Sequence, residues 1–407
     1  MEIRPILASL LRSKTGAILI AAQIALTLAI ISNALYIVKD RLDRSARPSG
    51  IDEANTFYLF FAAGGSLPDA EAMQKRDVEL LKAIPGVTHA AWVNQYPMGQ
   101  SGWGLSLTTR PDDPSSGLGA AAYFTPDTVT EAFGSKFVEG RDFTADEVEV
   151  VDPETGQVGA DVVIVTKQLA GRLWPDDASV VGKTVHLGSG EGSRPMRVVG
   201  VIDQLISPFA QANENAYSSF IMPVRHKVSA SSLIVRTEPG QLDRVMRAAE
   251  DQLAAVRDDR VLIFNDTAED RRAQRYQGEK SVAGMLLAVT IGLLVVTGSG
   301  IVGLASLWVT QRRKQIGVRR ALGARRFDIL RYFLVENAMI STVGIVLGIA
   351  LALGLNQLLV SKLELPRLPL EYLGFGMLTL FGLGILAVYG PAWRAAAVPP
   401  AIATRSA

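Results

Sequence analysis

Cysteine is absent from the 407 residues. That removes disulfide frameworks, thiolate metal sites and cysteine nucleophiles. Histidine is scarce: His89, His186 and His226 stand far apart, and neither the H-E-x-x-H zinc pattern nor a G-x-S-x-G nucleophile elbow occurs. Gly182-Lys183-Thr184 ends like a phosphate-binding loop, but the pattern G-x-x-x-x-G-K-[ST] needs glycine at position 177, which is Asp177. The glycines from Gly188 to Gly192 form a flexible turn before a strand, with no helix to receive a phosphate. The expectation is a chain without catalytic residues, metal or cofactor of its own.

Charge is missing from four long runs. No Asp, Glu, Lys or Arg occurs in the 24 residues between Lys14 and Lys39 or the 31 between Lys280 and Arg312. Asn337 to Ser361 adds 25 such residues and Tyr372 to Trp393 another 22. Each suffices for the roughly 20 residues that cross a bilayer as a helix. With 48% hydrophobic residues and a mean hydropathy of +0.23, the chain reads as a membrane protein with a soluble part. The first run could also be a cleaved signal peptide, with Ser32-Asn33-Ala34 as the small-x-small site, but it exceeds the about 7–15 apolar residues of a signal core. Residues 3–13 read either as an interfacial amphipathic helix or as an extension of the first span.

Between the first two runs the composition is that of a soluble domain. Strands are expected at Thr56 to Ala62, His89 to Val93, Asp161 to Val165, Thr184 to Leu187, Met196 to Ile202, Phe220 to Pro223, Ser232 to Arg236 and Arg260 to Asn265. Helices are expected at Ala70 to Ile84 and Gln241 to Val256, and Arg110 to Gly119 reads as a loop. The fold class is therefore an α+β membrane protein. It has four transmembrane helices, with a large α+β extracytoplasmic domain (a βαβ-like part plus a β-rich inserted part) between the first and second. A charged helix from Thr267 to Lys280 feeds into the second span. That span alone makes about 46 Å of helix against about 30 Å of hydrocarbon, so it either continues outside the membrane as a stalk or tilts.

The one dense charge block lies between the second and third spans. Arg312 to Arg331 holds eight cations and one anion, Asp328, giving +7 in a chain of formal net charge +1. Such a loop is expected in the cytoplasm, which puts both termini inside and the large domain outside. Within it, Ile316, Val318, Ala321 and Leu322 read as a small apolar face, while Gly317 and Gly323 allow close approach or a turn. Arg312, Arg313 and Arg331 are expected to touch only lipid headgroups. Glu336 is expected to pair with a loop cation such as Arg331 or Arg326 rather than to serve transport. Gly344 and Gly348 form a G-x-x-x-G pair suited to close helix packing. A nucleic-acid role lacks any fold to present the block.

QRRKQIGVRRALGARRFDILRYFLVEN, an apolar span and the terminal AVYGPAWRAAAVPPAIATRSA together are similar to the permease domain shared by the MacB and FtsX families of ABC transporters. FVEGRDFTADE, LAGRLWPDDASVVGKTVHLG and MRVVGVI likewise resemble the MacB-type periplasmic core. Trp393-Arg394 departs from the two basic residues usual in the terminal motif. The resemblance makes Ile316, Gly317, Val318, Arg319, Arg320, Ala321, Leu322, Gly323 and Ala324 a coupling helix that docks on an ATPase. No ATPase segment precedes the first span, so it implies a separate ATPase subunit in two copies, binding ATP and Mg.

The further expectations are a second permease chain, membrane lipid and, for efflux, a periplasmic adaptor with an outer-membrane channel. The site is the bacterial inner membrane. The domains expected are 1–14 interfacial helix, 15–41 first span, 42–278 periplasmic core, 279–311 second span with stalk, 312–331 coupling segment, 332–361 third span, 362–371 periplasmic loop, 372–393 fourth span and 394–407 cytoplasmic tail. Export of a small molecule or peptide by mechanotransmission is the leading reading. An FtsX-like regulator of a cell-wall hydrolase and a Lol-like lipoprotein extractor are the alternatives.

Overall fold

The computed structural model describes residues 14–63, 69–152, 159–211, 213–228, 230–256, 260–363 and 367–397. The segment 3–13 and the end of the terminal motif lie outside these. Along the chain, α1 (Lys14–Ser45) leads to β1 (Thr56–Ala63), α2 (Ala70–Lys82), β2 (Val87–Trp92), β3 (Gly104–Thr108) and β4 (Leu118–Phe124). Then come α3 (Val129–Phe133), β5 (Phe137–Gly140), β6 (Glu149–Val151), β7 (Val162–Thr166), α4 (Lys167–Leu173), β8 (Thr184–Leu187) and β9 (Arg194–Ile202). Next are β10 (Ser219–Met222), β11 (Val224–His226), β12 (Ala230–Thr237), α5 (Leu242–Ala254) and β13 (Arg260–Thr267). Four helices close the chain: α6 (Ala268–Gln311), α7 (Arg313–Ala321), α8 (Arg326–Leu363) and α9 (Leu370–Ala397). The chain divides into two compact units, residues 45–277 and residues 1–44 with 278–407.

In the 45–277 unit, a four-stranded sheet has the order β13-β1-β12-β2 with every neighbour antiparallel. β1 and β2 are therefore parallel with β12 between them, and β12 and β13 are parallel with β1 between them. Two split β-α-β units interlock, carrying α2 and α5. Phe57, Leu59 and Phe61 point to the side where Val78, Leu81, Val245 and Leu253 pack, while Tyr58 points to the other. This is the alternation expected of a strand.

The second sheet runs β5-β9-β7-β10-β4-β3-β8, and β8 also pairs with β9, so six strands close into a ring. β7 and β10 are buried on both faces: in β7, Val163 and Val165 fall in one cluster, Val162 and Ile164 in the other. Strands of this kind read as continuous apolar runs. β4 was not expected; its Leu-Gly-Ala-Ala-Ala start is poor in β-formers, and the loop reading of Arg110 to Gly119 overran its first two residues.

His226 is buried in β11, edge-on to the rings of Trp103 at 5.4 Å and Phe124 at 5.9 Å. Burial lowers its pKa, with Asp152 opposing, and His89 shifts the same way through burial and Arg236. The unfolded chain then binds more protons than the folded one as pH falls below about 6.5. Stability of this unit should accordingly be full above that pH and decline beneath it. Urea midpoints measured from pH 7.5 to 5 should show the decline, and His226→Phe should flatten it; an unchanged slope in the variant would exclude His226 as a source.

Among the described residues, four helices are long and apolar enough to cross a membrane: α1, α6, α8 and α9. α6 runs unbroken for 44 residues because the charged stretch before its apolar run holds neither proline nor a turn signal. Gly344 and Gly348 of α8 face α1: a Cβ at Gly344 would sit 2.8 Å from the carbonyl oxygen of Ala21, and at Gly348 3.0 Å from Ala25 Cα. The pair thus packs against the first helix of the same chain. Buried polar groups bond between helices here. Thr27 and Thr297 hydroxyls lie 2.8 Å apart, and the Asn33 amide donates to Ala352 O at 3.1 Å.

Candidate functional site

The basic block folds as a short helix between two long ones. α6 stops at Gln311, Arg312 caps α7, and α7 lasts nine residues. Its end is set by Gly323, whose φ of +98° only glycine adopts without strain. The Ala324 N–H donates to Arg319 O at 3.0 Å and the Gly323 N–H to Arg320 O at 3.2 Å, a Schellman closure that satisfies two orphan carbonyls. Asp328, the one anion of the block, then starts α8: its carboxylate accepts the Arg325 N–H at 2.8 Å, where a negative charge also suits the helix dipole.

The expected apolar face divides in two. Residues advance about 100° each around a helix, so Ile316 and Val318 are about 200° apart while Val318, Ala321 and Leu322 share a sector. Ile316 and Gly317 are buried, Ile316 joining the cluster of Ile329, Leu330 and Phe333. Val318, Ala321 and Leu322 are exposed, Leu322 at 83%. Ala324 is half-buried at the turn, Arg319 is exposed with its guanidinium 5.1 Å from the Tyr332 ring, and Arg320 is half-buried. Phe327, which sequence reasoning passed over, is 67% exposed at the start of α8. A lone aromatic among Arg325, Arg326 and Asp328 was the available signal.

Glu336 does not pair with Arg331 or Arg326. It is buried at 1% exposure and accepts both its hydrogen bonds from Arg312 Nη1, at 2.9 and 2.7 Å. α8 begins at Arg326, six residues before the expected span, so Glu336 lies about 15 Å along the axis from that arginine. Arg331, five residues before it, projects elsewhere. Arg312 is correspondingly not a headgroup-only contact. It locks the α6–α7 corner to α8 through a charge pair whose disruption would leave a buried carboxylate alone. No ion pair is formed by Arg313, Lys314, Arg325, Arg326 or Arg331 among the described residues, and all five are exposed.

The arrangement offers a rigidly backed apolar tip ringed by cations, suited to a protein surface with acidic groups. No cluster of three or more His, Asp or Glu that could hold a metal occurs among the described residues.

Residues 17–254, more than half of the chain, match the MacB-like periplasmic core domain, and residues 287–400 match the FtsX-like permease C-terminal domain. Proteins named macrolide export ATP-binding/permease protein MacB are similar to it. The one from Bradyrhizobium diazoefficiens is 32% identical over 56% of this chain and 35% of its own length. Those from Acinetobacter baylyi and Photorhabdus laumondii are 27% and 25% identical over 59% and 67% of this chain. The chain spans 35% to 41% of the length of these three relatives. Its two matched regions and its four apolar helices together make it a membrane protein of the MacB/FtsX-type family of ABC transporter permeases.

Proposed function

We infer that this chain is a permease subunit that works by mechanotransmission. Two copies of a cytoplasmic ATPase subunit, which hold ATP and Mg, close on each other and push on α7. Motion passes along α6 to the 45–277 unit, which lies in the periplasm and drives a small molecule or peptide onward outside the inner membrane. A second permease chain completes the transporter, and an adaptor with an outer-membrane channel extends the route.

The observation that carries this reading is the tip of the basic block. Val318, Leu322 and Phe327 keep large apolar side chains exposed, on a segment fixed from behind by Ile316 and the Arg312–Glu336 pair. Apolar surface rimmed by charge suits a protein groove, whereas headgroups would satisfy the arginines alone. α6 supports it too: at about 66 Å it exceeds the roughly 30 Å of hydrocarbon by a factor of two.

Leu322→Asp tests the docking. With the partner ATPase present, the variant should insert into the membrane and ATP hydrolysis should continue. Export should fall about tenfold or more, as for loss of a hot-spot contact. Normal export by this variant would overturn the assignment.

A further inference from the structure

The 45–277 unit contains a cleft of about 390 Å³ whose lining the transporter reading leaves unused. That size lies in the range of about 300–1,000 Å³ typical of small-molecule sites. Its floor follows from strand register. Phe60 of β1 stands directly opposite Phe264 of β13 on one side and Ser232 of β12 on the other, so the three form a row across the sheet. The two phenyl rings stack at 5.4 Å and 18°. Both are only half-buried, which is uncommon for adjoining aromatics unless something covers them.

The facing wall is the loop from Tyr96 to Trp103, and it is held in place. Met98 and Gln100 adopt φ of 59° and 66°, conformations that cost energy for residues other than glycine and persist only when surrounding contacts impose them. The Met98 N–H donates to Ser207 O at 3.3 Å and the Gln100 N–H to Pro208 O at 3.0 Å. The Gln95 side-chain oxygen accepts the Trp103 N–H, and a Cβ at Gly102 would collide with that oxygen at 2.3 Å. So braced, the loop presents Trp103, a residue 43% exposed. Aromatic side chains thus line the cleft from both the sheet and the loop, which favours a flat ligand that can stack on them.

One charged residue lines the cleft, Arg271, and no carboxylate does. Arg271 lies in the first turn of α6. Its guanidinium stacks on Phe264 at 3.9 Å and one terminal nitrogen holds Asp266 at 3.0 Å, which fixes the group at the edge of the cleft. A guanidinium held at the wall of a pocket lined mainly by aromatic and neutral groups is complemented by a carboxylate or carbonyl oxygen. We propose that this cleft binds a flat, largely apolar molecule that directs a carboxylate or carbonyl oxygen at Arg271. Such a ligand closes against the first turn of the long helix. The inference goes beyond the transporter reading and does not depend on it, because its test reads equilibrium binding alone.

The experiment places the full chain in phosphatidylcholine nanodiscs and titrates 2-naphthoate by equilibrium dialysis, with empty nanodiscs as the blank. Saturable binding of one molecule per chain is expected, with a Kd of about 1 mM or below. The isosteric cation 2-naphthylmethylammonium should bind at least about tenfold more weakly. Arg271→Gln should weaken naphthoate binding about tenfold. Ser101→Trp, at an exposed residue of the cleft rim, should abolish it by filling the slot while the thermal melt stays unchanged. Uptake equal to the blank, equal binding of the cation, or unchanged binding in either variant would overturn the proposal.

Discussion

Replacing Asp77 with alanine should cost the 45–277 unit about 3–5 kcal/mol, the usual consequence of breaking a fully buried ion pair from one side. Asp77 and Arg260 are 0% and 1% exposed, with Arg260 Nη1 2.5 Å from Asp77 Oδ2. The surroundings supply partners for Asp77 Oδ2 and for both terminal nitrogens of Arg260, while Asp77 Oδ1 and Arg260 Nε have none among the described residues. Ser231 donates its hydroxyl to the same carboxylate oxygen at 2.7 Å, Arg260 Nη2 donates to Leu253 O at 2.7 Å, and the guanidinium lies 4.8 Å from the Phe61 ring. The pair joins α2 to the start of β13, elements 183 residues apart in sequence. Without the carboxylate, Arg260 remains in an apolar interior with nothing of opposite sign to face. Urea denaturation followed by tryptophan fluorescence measures the loss. The double variant Asp77→Leu with Arg260→Met should recover most of it, since apolar replacement of both partners removes the stranded charge. A single variant within about 1 kcal/mol of the parent would contradict this account.

Gly344→Val together with Gly348→Val should destabilise the membrane unit by about 3 kcal/mol or more, at the upper end of overpacking effects. The reason lies in what each added side chain would meet. At Gly344 the neighbours are Ala21 O at 2.8 Å and Ile24 Cβ at 2.9 Å; at Gly348 they are Ala25 Cα and O, both at 3.0 Å. Backbone atoms and Cβ carbons cannot swing away as a long side chain can, so α1 and α8 must separate. Separation forfeits close packing along the seam, which in lipid is the main attraction between helices. Gly354 lies on the same helix with nothing within 4 Å of its added Cβ, and Gly354→Val is the matched control. Thermal denaturation in detergent, read by size-exclusion chromatography, should show a large loss for the double variant and little for the control. Equal losses would overturn this account, because valine is a better helix former than glycine and only crowding could then explain a loss in the control.

Much of this was legible because its signals are local. Uncharged runs located the four spanning helices, and the unpunctuated charged stretch before Lys280 announced that α6 would start well ahead of its apolar run. Two β-α-β-like units followed from alternation and turn residues around Thr56 to Val93 and Ser232 to Asn265; that they interlock, with β12 between β1 and β2, did not. What escaped was set by tertiary context. Ile316 and Val318 are alike in chemistry and differ only in which side of a nine-residue helix meets Phe333 and its neighbours. Arg312 finds Glu336 because α8 begins at Arg326, a boundary fixed by the Gly323 turn and Asp328 cap, not by hydropathy. β4 owes its place to strands on either side of it, since Ala120 to Ala122 have little tendency to extend on their own. The row of Phe264, Phe60 and Ser232 required the register between three strands, which no single stretch encodes.

The unbroken course of α6 has a consequence for how this protein can change over time. From Gly298, which meets Leu383, to Trp308, which meets Gly16, every side chain keeps a fixed azimuth, advancing about 100° per residue. Adding or removing two residues midway would turn everything beyond the edit by about 200°, whereas a change of seven returns within about 20° of the starting phase. Gly300 must still meet Gln23, and Gly16 must still meet Trp308. Length in this stretch is therefore quantised: its apolar residues can be exchanged for one another, but it can lengthen or shorten only by whole turns.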